Sequence, residues 1–265
     1  AYHNEELKSL TRYRFDKVCE RGQLKQSVSR LVTILFPELE QLVPTLHIAS
    51  VYALLSEYSG AKQISEVHLT KLTNLLATAS KGRYGKDKAI QIRDAARVSI
   101  GSVMPAKSLE LKHTIKLIQE LTSEIDEIEG SIQQIMDGLN PPILSIPGMG
   151  VHSAAMILAE IGDFSNFESP DKILAYAGCS PSTYQSGKLT NCYAHMEKRG
   201  SRYLRYALYN ATKYVCYWNP VFAEYLAKKR AEGKHYNVAL SHATKKLVRL
   251  IYALQKSGKA YLTAA

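Results

Sequence analysis

The sequence is poor in the residues that would make it a disulfide-stabilised or zinc-binding protein. Its 265 residues include four cysteines, Cys19, Cys179, Cys192 and Cys216, with no C-x-x-C pair and no zinc-ligand spacing. No apolar stretch approaches the roughly 20 residues that span a bilayer. These absences exclude a disulfide framework, a zinc site and a membrane-spanning helix. They favour the reducing cytoplasm as the location.

Glycine and proline are also few, at 15 and 9 residues, which excludes collagen-like and low-complexity proteins. Hydrophobic residues make up 46% of the chain, enough for one large or two ordinary domains. The first residue is Ala1 rather than Met, and a helical pattern starts within a few residues of it. We therefore expect a fragment of a longer chain.

Acidic residues are scarce in the second half of the sequence. Residues 1–146 carry 18 basic and 17 acidic side chains, whereas residues 147–265 carry 16 and 7. Twelve of the 17 tyrosines lie at or after Tyr176. Arginine and lysine interleaved with aromatic rings are typical of nucleic-acid binding, so nucleic acid heads the expected partners. A solubilising basic surface is the alternative.

Apolar residues recur at three- and four-residue spacing along most of the chain, which predicts a mainly α fold. We divide it into a helical region over 1–104, a long helix over 105–140 and a C-terminal domain over 141–265. Helices are predicted over 5–35, 49–58, 64–80, 105–138, 219–231 and 235–256. Three more are predicted from their caps: one from Asp87 to residue 98, one from an N-cap at Ser169 to Gly178, and one that begins at a cap at Ser201.

The helix over 105–138 carries apolar residues in a register that suits a coiled coil. Thr122 and Glu129 interrupt that register. A helix packed inside a bundle explains the pattern equally well, so both alternatives stay open. A coiled coil or a helical hairpin arm here would either mediate self-association, which predicts a homo-oligomer, or hold a partner RNA.

A glycine-containing turn opens the C-terminal domain. Pro147-Gly148-Met149-Gly150 separates an apolar turn from an Ala-rich helix, as in helix-hairpin-helix modules, where backbone N–H groups at a helix N-terminus bind DNA phosphates. Gly148 and Gly150 are therefore candidate nucleic-acid-binding residues. A tight turn between helices, without a ligand, is the alternative.

The segment 179–195 is polar and rich in turn residues, unlike its helical neighbours. Thr183-Tyr184-Gln185 and Cys192-Tyr193-Ala194 can pair as a short β-hairpin around Ser186-Gly187. Ser186 is a candidate nucleophile for a phosphodiester, although a serine before glycine is more often a turn residue. Ser180, Ser182 and Ser201 compete for that role. The candidate phosphate-binding residues beside it are Gly187, Lys188, Lys198, Arg199, Arg202 and Arg205.

Two longer runs carry a family resemblance. SIPGMG, AEIGDFSNFESPDKILAYAGCSPSTYQSGK and KRGSRYLRYAL resemble the C-terminal transposase domain of the insertion-sequence family known as IS-one-ten, the bridge-RNA-guided recombinases. ELKSLTRYRFDKVCERGQLKQSVSRLVTILFPEL resembles the region that follows the RuvC-like domain of that family. The resemblance covers essentially the whole chain.

The resemblance implies a role for particular residues. The family's serine nucleophile falls on Ser186 and its neighbour on Gly187, with the G-x-x-P approach on Gly178 and Pro181. The basic segment falls on Lys198, Arg199, Gly200 and Ser201. The RuvC-like domain, with four acidic residues that bind divalent metal, has no counterpart here. We therefore expect no metal ligands or cofactor in this chain, and Mg²⁺ only on the missing N-terminal carboxylates of the full-length enzyme.

The resemblance implies that the chain is a fragment of a DNA transposase that works in the cytoplasm of a prokaryotic cell. The partners that it implies are DNA and a guide RNA. In the full-length enzyme Ser186 would cleave and exchange DNA strands, with His195 as an acid or base or as a structural residue. The fragment alone is expected to be inactive. The alternative is a non-catalytic helix-hairpin-helix-type nucleic-acid-binding module, and a third hypothesis is a purely structural oligomerisation device.

Overall fold

A computed structural model describes residues 2–180, 185–186, 189–190 and 196–262. Helices dominate the described residues, which confirms the mainly α prediction. In chain order the elements are α1 (Tyr2–Leu35), α2 (Leu39–Leu42), α3 (Ala49–Glu57), α4 (Ala61–Glu66), α5 (Leu69–Ala79), α6 (Lys86–Arg97), α7 (Pro105–Leu139), α8 (Val151–Ile161), α9 (Pro170–Tyr176), β1 (Gln185–Ser186), β2 (Leu189–Thr190), α10 (Arg202–Trp218), α11 (Pro220–Ala231) and α12 (Tyr236–Ser257), with 3-10 turns at Pro142–Ser145 and Phe164–Asn166.

Within the described part of the chain, no helix is both long and apolar enough to cross a membrane.

The chain forms two compact units. Unit 1 comprises residues 1–15 and 127–265, and unit 2 comprises residues 16–126. The long helices α1 and α7 each contribute residues to both units. The boundaries between the units therefore differ from the predicted domain boundaries at 104 and 140. The predicted division into three domains stays a prediction.

Unit 2 is built around one apolar core. α3 packs against α5, and α6 packs against both α4 and α5. The helical spacing of leucine and isoleucine on each element places one apolar face inward, where removal from water stabilises the unit. The largest fully buried side chains are Phe36, Leu35, Leu39, Leu54, Leu55, Ile64, Leu72, Leu76, Ile92 and Leu111.

Two helical predictions in this unit are wrong in detail. The single helix predicted over 64–80 is two helices, α4 and α5, because His68 begins a new helix by accepting a hydrogen bond from the Thr70 amide at 3.3 Å. Asp87 does not cap α6, whose N-cap is Gly85. Asp87 lies instead in the first turn, where a negative charge interacts favourably with the helix dipole.

The apolar residues of α7 are buried inside the chain itself. Leu111, Ile115 and Ile118 belong to the core of unit 2, and Ile132 and Met136 belong to the core of unit 1. This is the packing role that the bundle alternative required. A coiled coil with a second chain stays a prediction.

Unit 1 is centred on α10. α8, α11 and α12 pack against α10, and α9 packs against α12. The predicted helices near 219–231 and 235–256 are confirmed within one residue. α10 presents small and branched residues inward, so neighbouring helices approach closely on several sides. The buried α10 residues are Leu204, Ala207, Leu208, Ala211, Thr212, Val215 and Cys216.

We expect Gly101→Ala to lower the free energy of unfolding of unit 2 by about 2 kcal/mol, because overpacking has a cost of that order. A Cβ at Gly101 would overlap the Leu35 carbonyl and lie 2.7 Å from its carbon. The neighbouring backbone cannot easily retreat, since the Ser102 amide donates to the Ile34 carbonyl at 2.8 Å. Urea unfolding followed by circular dichroism measures the change.

Gly22→Ala is the matched control in the same unit. Gly22 lies inside α1 and a Cβ there would meet nothing within 4 Å. This substitution should raise stability by about 0.5–1 kcal/mol, because alanine favours the helix. Equal effects of the two substitutions would contradict the packing argument.

Candidate nucleic-acid interface

Backbone hydrogen bonds hold together the two ends of the polar segment predicted over 179–195, which we call the polar loop. The Lys198 amide donates to the Gly178 carbonyl at 3.1 Å, and the Glu197 amide donates to the Ser180 carbonyl at 3.0 Å. We call residues 176–180 and 197–201 the loop stem. The chain leaves the stem at Ser180 and returns at Glu197, so the segment that contains Ser186 starts and ends at a hydrogen-bonded pair of backbones.

Two glycines permit this close approach. Gly178 has a φ of +66°, and a Cβ there would lie 2.6 Å from the Arg199 carbonyl oxygen. Gly200 has a φ of +126°, and its Cβ would overlap the Tyr176 carbonyl oxygen. Both conformations suit glycine, and any side chain would push the two halves of the stem apart.

Ser201 joins the stem to α10. Its amide donates to the Tyr176 carbonyl at 2.9 Å. Its Oγ accepts from the Leu204 amide at 3.1 Å, which confirms the predicted N-cap. The same Oγ donates to Glu160 Oε2 at 3.0 Å. Ser201, one of the four candidate serines, is thus engaged in structure on both its donor and acceptor sides.

Glu160 is a buried carboxylate in α8 with a complete set of partners. Its side chain has 0% exposure. Arg12 donates to it through Nε at 2.7 Å and through Nη2 at 3.0 Å, in the two-pronged geometry that arginine favours with carboxylates. The hydrogen bond to Glu160 raises the pKa of Arg12, which therefore stays charged.

Sequence reasoning missed Glu160 and Arg12. The signal was available in part, because Glu160 is the one charged residue in the helix Val151–Ile161, which is otherwise apolar or small apart from His152 and Ser153. A charge on a buried helix requires a partner. The partner could not be found from sequence, since Arg12 lies 148 residues away.

Aromatic rings pack around this ion pair. The Tyr203 ring lies 4.5 Å from the guanidinium of Arg12 and 4.9 Å from that of Arg202. Phe15 meets Tyr203 edge to face at 5.2 Å between centroids. Contacts between a cation and a ring face are favourable at these distances. The first turns of α10 and the start of α1 are thus held together within unit 1.

The predicted basic residues have different roles at the stem. Lys198, Arg199 and Arg202 are exposed to solvent. Arg205 is half-buried, and its Nη1 donates to the carbonyls of Ala177 at 2.9 Å and Lys198 at 3.3 Å. Arg205 therefore holds the stem closed, whereas the other three surround the base of the loop with positive charge.

The described part of the loop contains a short antiparallel hairpin. Gln185 pairs with Thr190 and Ser186 pairs with Leu189. A hairpin is confirmed, but the predicted pairing of Gln185 with the segment 192–194 is wrong, because Gln185 pairs with Thr190 instead. The backbone of Ser186 is described. Its side chain and the predicted site residues Gly187, Lys188 and His195 lie outside the described residues, as does Pro181.

The two glycines of the predicted phosphate-binding turn differ in their surroundings. Gly148 has a φ of +88°, and a Cβ there would lie 2.5 Å from the Tyr214 carbonyl oxygen and 2.9 Å from Val215 Cα. It is required for packing against α10. Gly150 is the N-cap of α8 and a Cβ there would meet nothing within 4 Å. The 3-10 turn Pro142–Ser145 precedes these glycines in the chain. Phosphate binding at either glycine stays a prediction.

Among the described residues, no group of three or more histidine, cysteine, aspartate or glutamate side chains is arranged to hold a metal ion. The described side chains therefore do not fit a divalent-metal centre.

One family model matches the part of the chain that contains this candidate interface. Residues 140–227 match the model of the Transposase IS116/IS110/IS902 family. This range contains the loop stem, all of α10 and most of α11. That match covers a third of the chain, and over it the resemblance to this transposase family is confirmed.

Similarity to whole proteins extends further along the chain. The chain is 25% identical over 263 residues to the insertion element IS116 uncharacterized 44.8 kDa protein of Streptomyces clavuligerus, covering 97% of this chain and 65% of that protein. It is likewise 25% identical to the insertion element IS110 uncharacterized 43.6 kDa protein of Streptomyces coelicolor, covering 97% and 64%. The chain thus spans about two thirds of the length of these relatives.

A relative with a descriptive name matches over a shorter stretch. The pilin gene-inverting protein of Moraxella bovis is 27% identical over 120 residues, which is 45% of this chain and 37% of that protein.

We expect Glu160→Gln to lower the free energy of unfolding of unit 1 by about 3 kcal/mol, the low end for breaking a buried pair, because the Arg12 side chain is 40% exposed and regains some hydration. The substitution leaves Arg12 without its counter-charge and weakens the cap at Ser201. Chemical denaturation measures the change.

Asp94→Asn serves as the control, because it removes one partner of the exposed pair Arg97–Asp94, whose side chains are 53% and 57% exposed. That change should stay within about 0.5 kcal/mol. A loss at Glu160 no larger than the loss at Asp94 would contradict a structural role for the buried carboxylate.

Proposed function

We propose that the chain belongs to the IS116/IS110/IS902 transposase family and is the part of a DNA recombinase that holds DNA and supplies Ser186 as its nucleophile. The observation that carries the proposal is the loop stem. It joins the two ends of the Ser186 segment and surrounds them with three exposed basic residues, inside the region that matches the transposase family.

The charge around the stem suits a phosphate backbone. Lys198, Arg199 and Arg202 lie within five residues of one another at the start of α10. Unit 1 as a whole carries 19 lysine and arginine residues against 12 aspartate and glutamate residues. Such a surface binds DNA without reading its sequence, because phosphates are the same at every base pair.

A serine nucleophile suits strand exchange. In the proposed step Ser186 Oγ forms a bond to phosphorus, and the bond from phosphorus to one deoxyribose oxygen breaks. The serine proton is lost to a base and the departing oxygen gains one. The phosphodiester energy is retained in the phosphoserine bond, so attack by the hydroxyl of another strand rejoins DNA without an external energy source. Nearby cations stabilise the charge that develops on the phosphate oxygens.

The proposal for the whole protein includes more than this chain. On the basis of the family resemblance, we include in the proposal a guide RNA, self-association and an N-terminal domain whose carboxylates would hold Mg²⁺. The residues described here provide no such metal centre, so no step that we assign to them passes through a metal ion. A protein that acts on DNA in a prokaryotic cell works in the cytoplasm, and this chain alone is proposed to bind DNA without recombining it.

We expect a variant with Lys198, Arg199 and Arg202 changed to glutamine to bind duplex DNA more weakly than the parent chain. Each lost phosphate contact should reduce the slope of log affinity against log salt by about 1. Three contacts therefore predict a slope that is smaller by about 3. Mobility shift at several salt concentrations measures both quantities. Arg205 is left in place because it holds the stem.

The matched control removes the same charge from unit 2. Lys81, Arg83 and Lys86 are exposed residues between α5 and the first turn of α6, and their change to glutamine should leave the salt slope within experimental error. Equal losses in the two variants would mean that net charge, rather than the stem, determines binding, and would contradict the proposed interface.

We expect Ser186→Ala in the full-length protein to abolish strand exchange while leaving DNA affinity unchanged. An alanine keeps the backbone pairing of the hairpin but has no oxygen to attack phosphorus. Covalent protein–DNA adducts on denaturing gels and recombinant product yield are the measurements. Ser180→Ala is the control and should retain both. If Ser186→Ala supports normal exchange, the chain is a non-catalytic nucleic-acid-binding module instead.

A further inference from the structure

A cavity lies between the start of α8 and the exposed face of α10, and no residue of the loop stem lines it. Its volume is about 350 Å³, within the range of small-ligand pockets. We call it the α8–α10 groove. Its polar and aromatic lining comes from Arg14, His152, Ser153, Tyr206, Asn210 and Tyr214, all of which belong to unit 1.

The groove offers aromatic rings to a ligand. Tyr206 is 40% exposed and Tyr214 is 60% exposed, although both lie on a helix whose other face is core. The two residues are eight positions apart on α10, with Asn210 halfway between them. Residues at this spacing lie on one helix face. The face therefore presents ring, amide and ring in succession.

The charges in the groove cancel, although the surrounding unit is basic. Arg14 is paired with Glu129, with Nη2 at 2.7 Å from Oε1. Burial lowers the pKa of His152, so this imidazole is neutral at pH 7, and its Nε2 lies 3.7 Å from Glu129 Oε2. A site for a phosphate would keep an unpaired positive charge. A neutral site with rings suits an uncharged, flat group.

Hydrogen-bonding groups complete the lining. Asn210 donates one N–H to the Tyr206 carbonyl at 3.1 Å. In the described part of the chain, its amide oxygen takes part in no hydrogen bond. His152 Nδ1 is buried without a partner among the described residues. A side-chain amide and a hydroxyl beside a ring are the groups that proteins use to bind the edge of an unstacked base.

We infer that the α8–α10 groove binds an unpaired nucleobase of a DNA or RNA strand whose backbone follows the basic surface of unit 1. The base stacks on Tyr214, the more exposed of the two rings, because the Tyr206 ring already packs edge to face on Phe15 at 4.7 Å between centroids. Asn210 and Ser153 bond the edge of the base. Stacking requires a base outside a duplex, because paired bases have both faces covered. The inference rests on the proposed function and adds to it a place in unit 1 for an unpaired base.

The test compares single-stranded and duplex oligonucleotides of about 12 nucleotides, a length within known site sizes for stacking proteins. The single strand carries 2-aminopurine, whose fluorescence falls when it stacks on a ring. We expect Tyr214→Ala to weaken binding of the single strand about 10-fold, the order of one lost stacking contact. The same variant should restore the fluorescence and change duplex affinity less than twofold.

Two further variants separate the ring from general effects. Tyr214→Phe keeps the ring and should retain single-strand affinity and quenching. Tyr217→Ala removes a ring that is 77% exposed on the same helix but outside the groove, and should change neither. If the melting temperature of Tyr214→Ala differs from that of the parent chain, Asn210→Ala is used instead. We expect it to weaken single-strand binding about 5-fold, because the base-edge contact is lost.

The outcomes distinguish this inference from the proposed function. A chain that binds duplex with strong salt dependence, but whose single-strand affinity and fluorescence do not respond to Tyr214→Ala or Asn210→Ala, overturns the groove and leaves the proposed function standing. Equal losses from Tyr214→Ala and Tyr217→Ala also overturn it. A parent chain that binds neither oligonucleotide overturns both.

Discussion

The carboxylate of Glu160 is the group around which unit 1 is organised at its candidate interface. A charge with no exposure to water must be compensated inside the protein, and Glu160 meets this requirement with the two N–H groups of Arg12 and the hydroxyl of Ser201. One buried charge therefore fixes three elements: the start of α1, the end of α8 and the first turn of α10. The loop stem depends on the third of these, because Ser201 is its last residue.

The stem connects Ser201, which Glu160 holds in place, to the loop that contains Ser186, and it supports that loop. Gly178 and Gly200 let two backbones approach within hydrogen-bonding distance, and Arg205 bonds two carbonyls across them. A nucleophile carried on a loop needs such a base, since a rigid support reduces the conformational freedom that is lost when the reacting groups align. In the proposed function, the exposed cations beside the stem bind the phosphate backbone that approaches that loop.

Unit 1 thus presents two different kinds of surface. The stem is basic, with no acidic partner among the described contacts of Lys198 and Arg199, and suits phosphates. The α8–α10 groove is neutral and aromatic, because Glu129 compensates Arg14 and burial keeps His152 uncharged. Net charge along the sequence would not separate these surfaces, since α8, α10 and the stem all lie in the half of the sequence with excess lysine and arginine. The separation depends on which side chains the fold brings within contact.

The sequence by itself determined the long helices, because each of them carries a local signal, whereas it did not separate the short helix α4 from α5. The spacing of apolar residues predicted α1, α7 and the last two helices within a few residues, and Ser201 was recognised as a cap from its position before a helical pattern. Helical period and capping depend on neighbours within one or two turns, so they can be predicted without the fold. The polar loop with Ser186, the basic residues around it and the family resemblance were also predicted from local sequence.

Only the tertiary structure decided what those residues do together. Arg205 and Ser201 proved to be parts of the stem, Gly148 proved to pack against α10, and the apolar stripe of α7 proved to be buried in the chain's own cores. Arg12, Glu160 and the groove beside Tyr214 were not predicted at all. The reason is physical: an ion pair or a cavity between elements that are far apart in the sequence depends on packing. A local pattern carries no record of which distant side chain will compensate a charge or cover a ring.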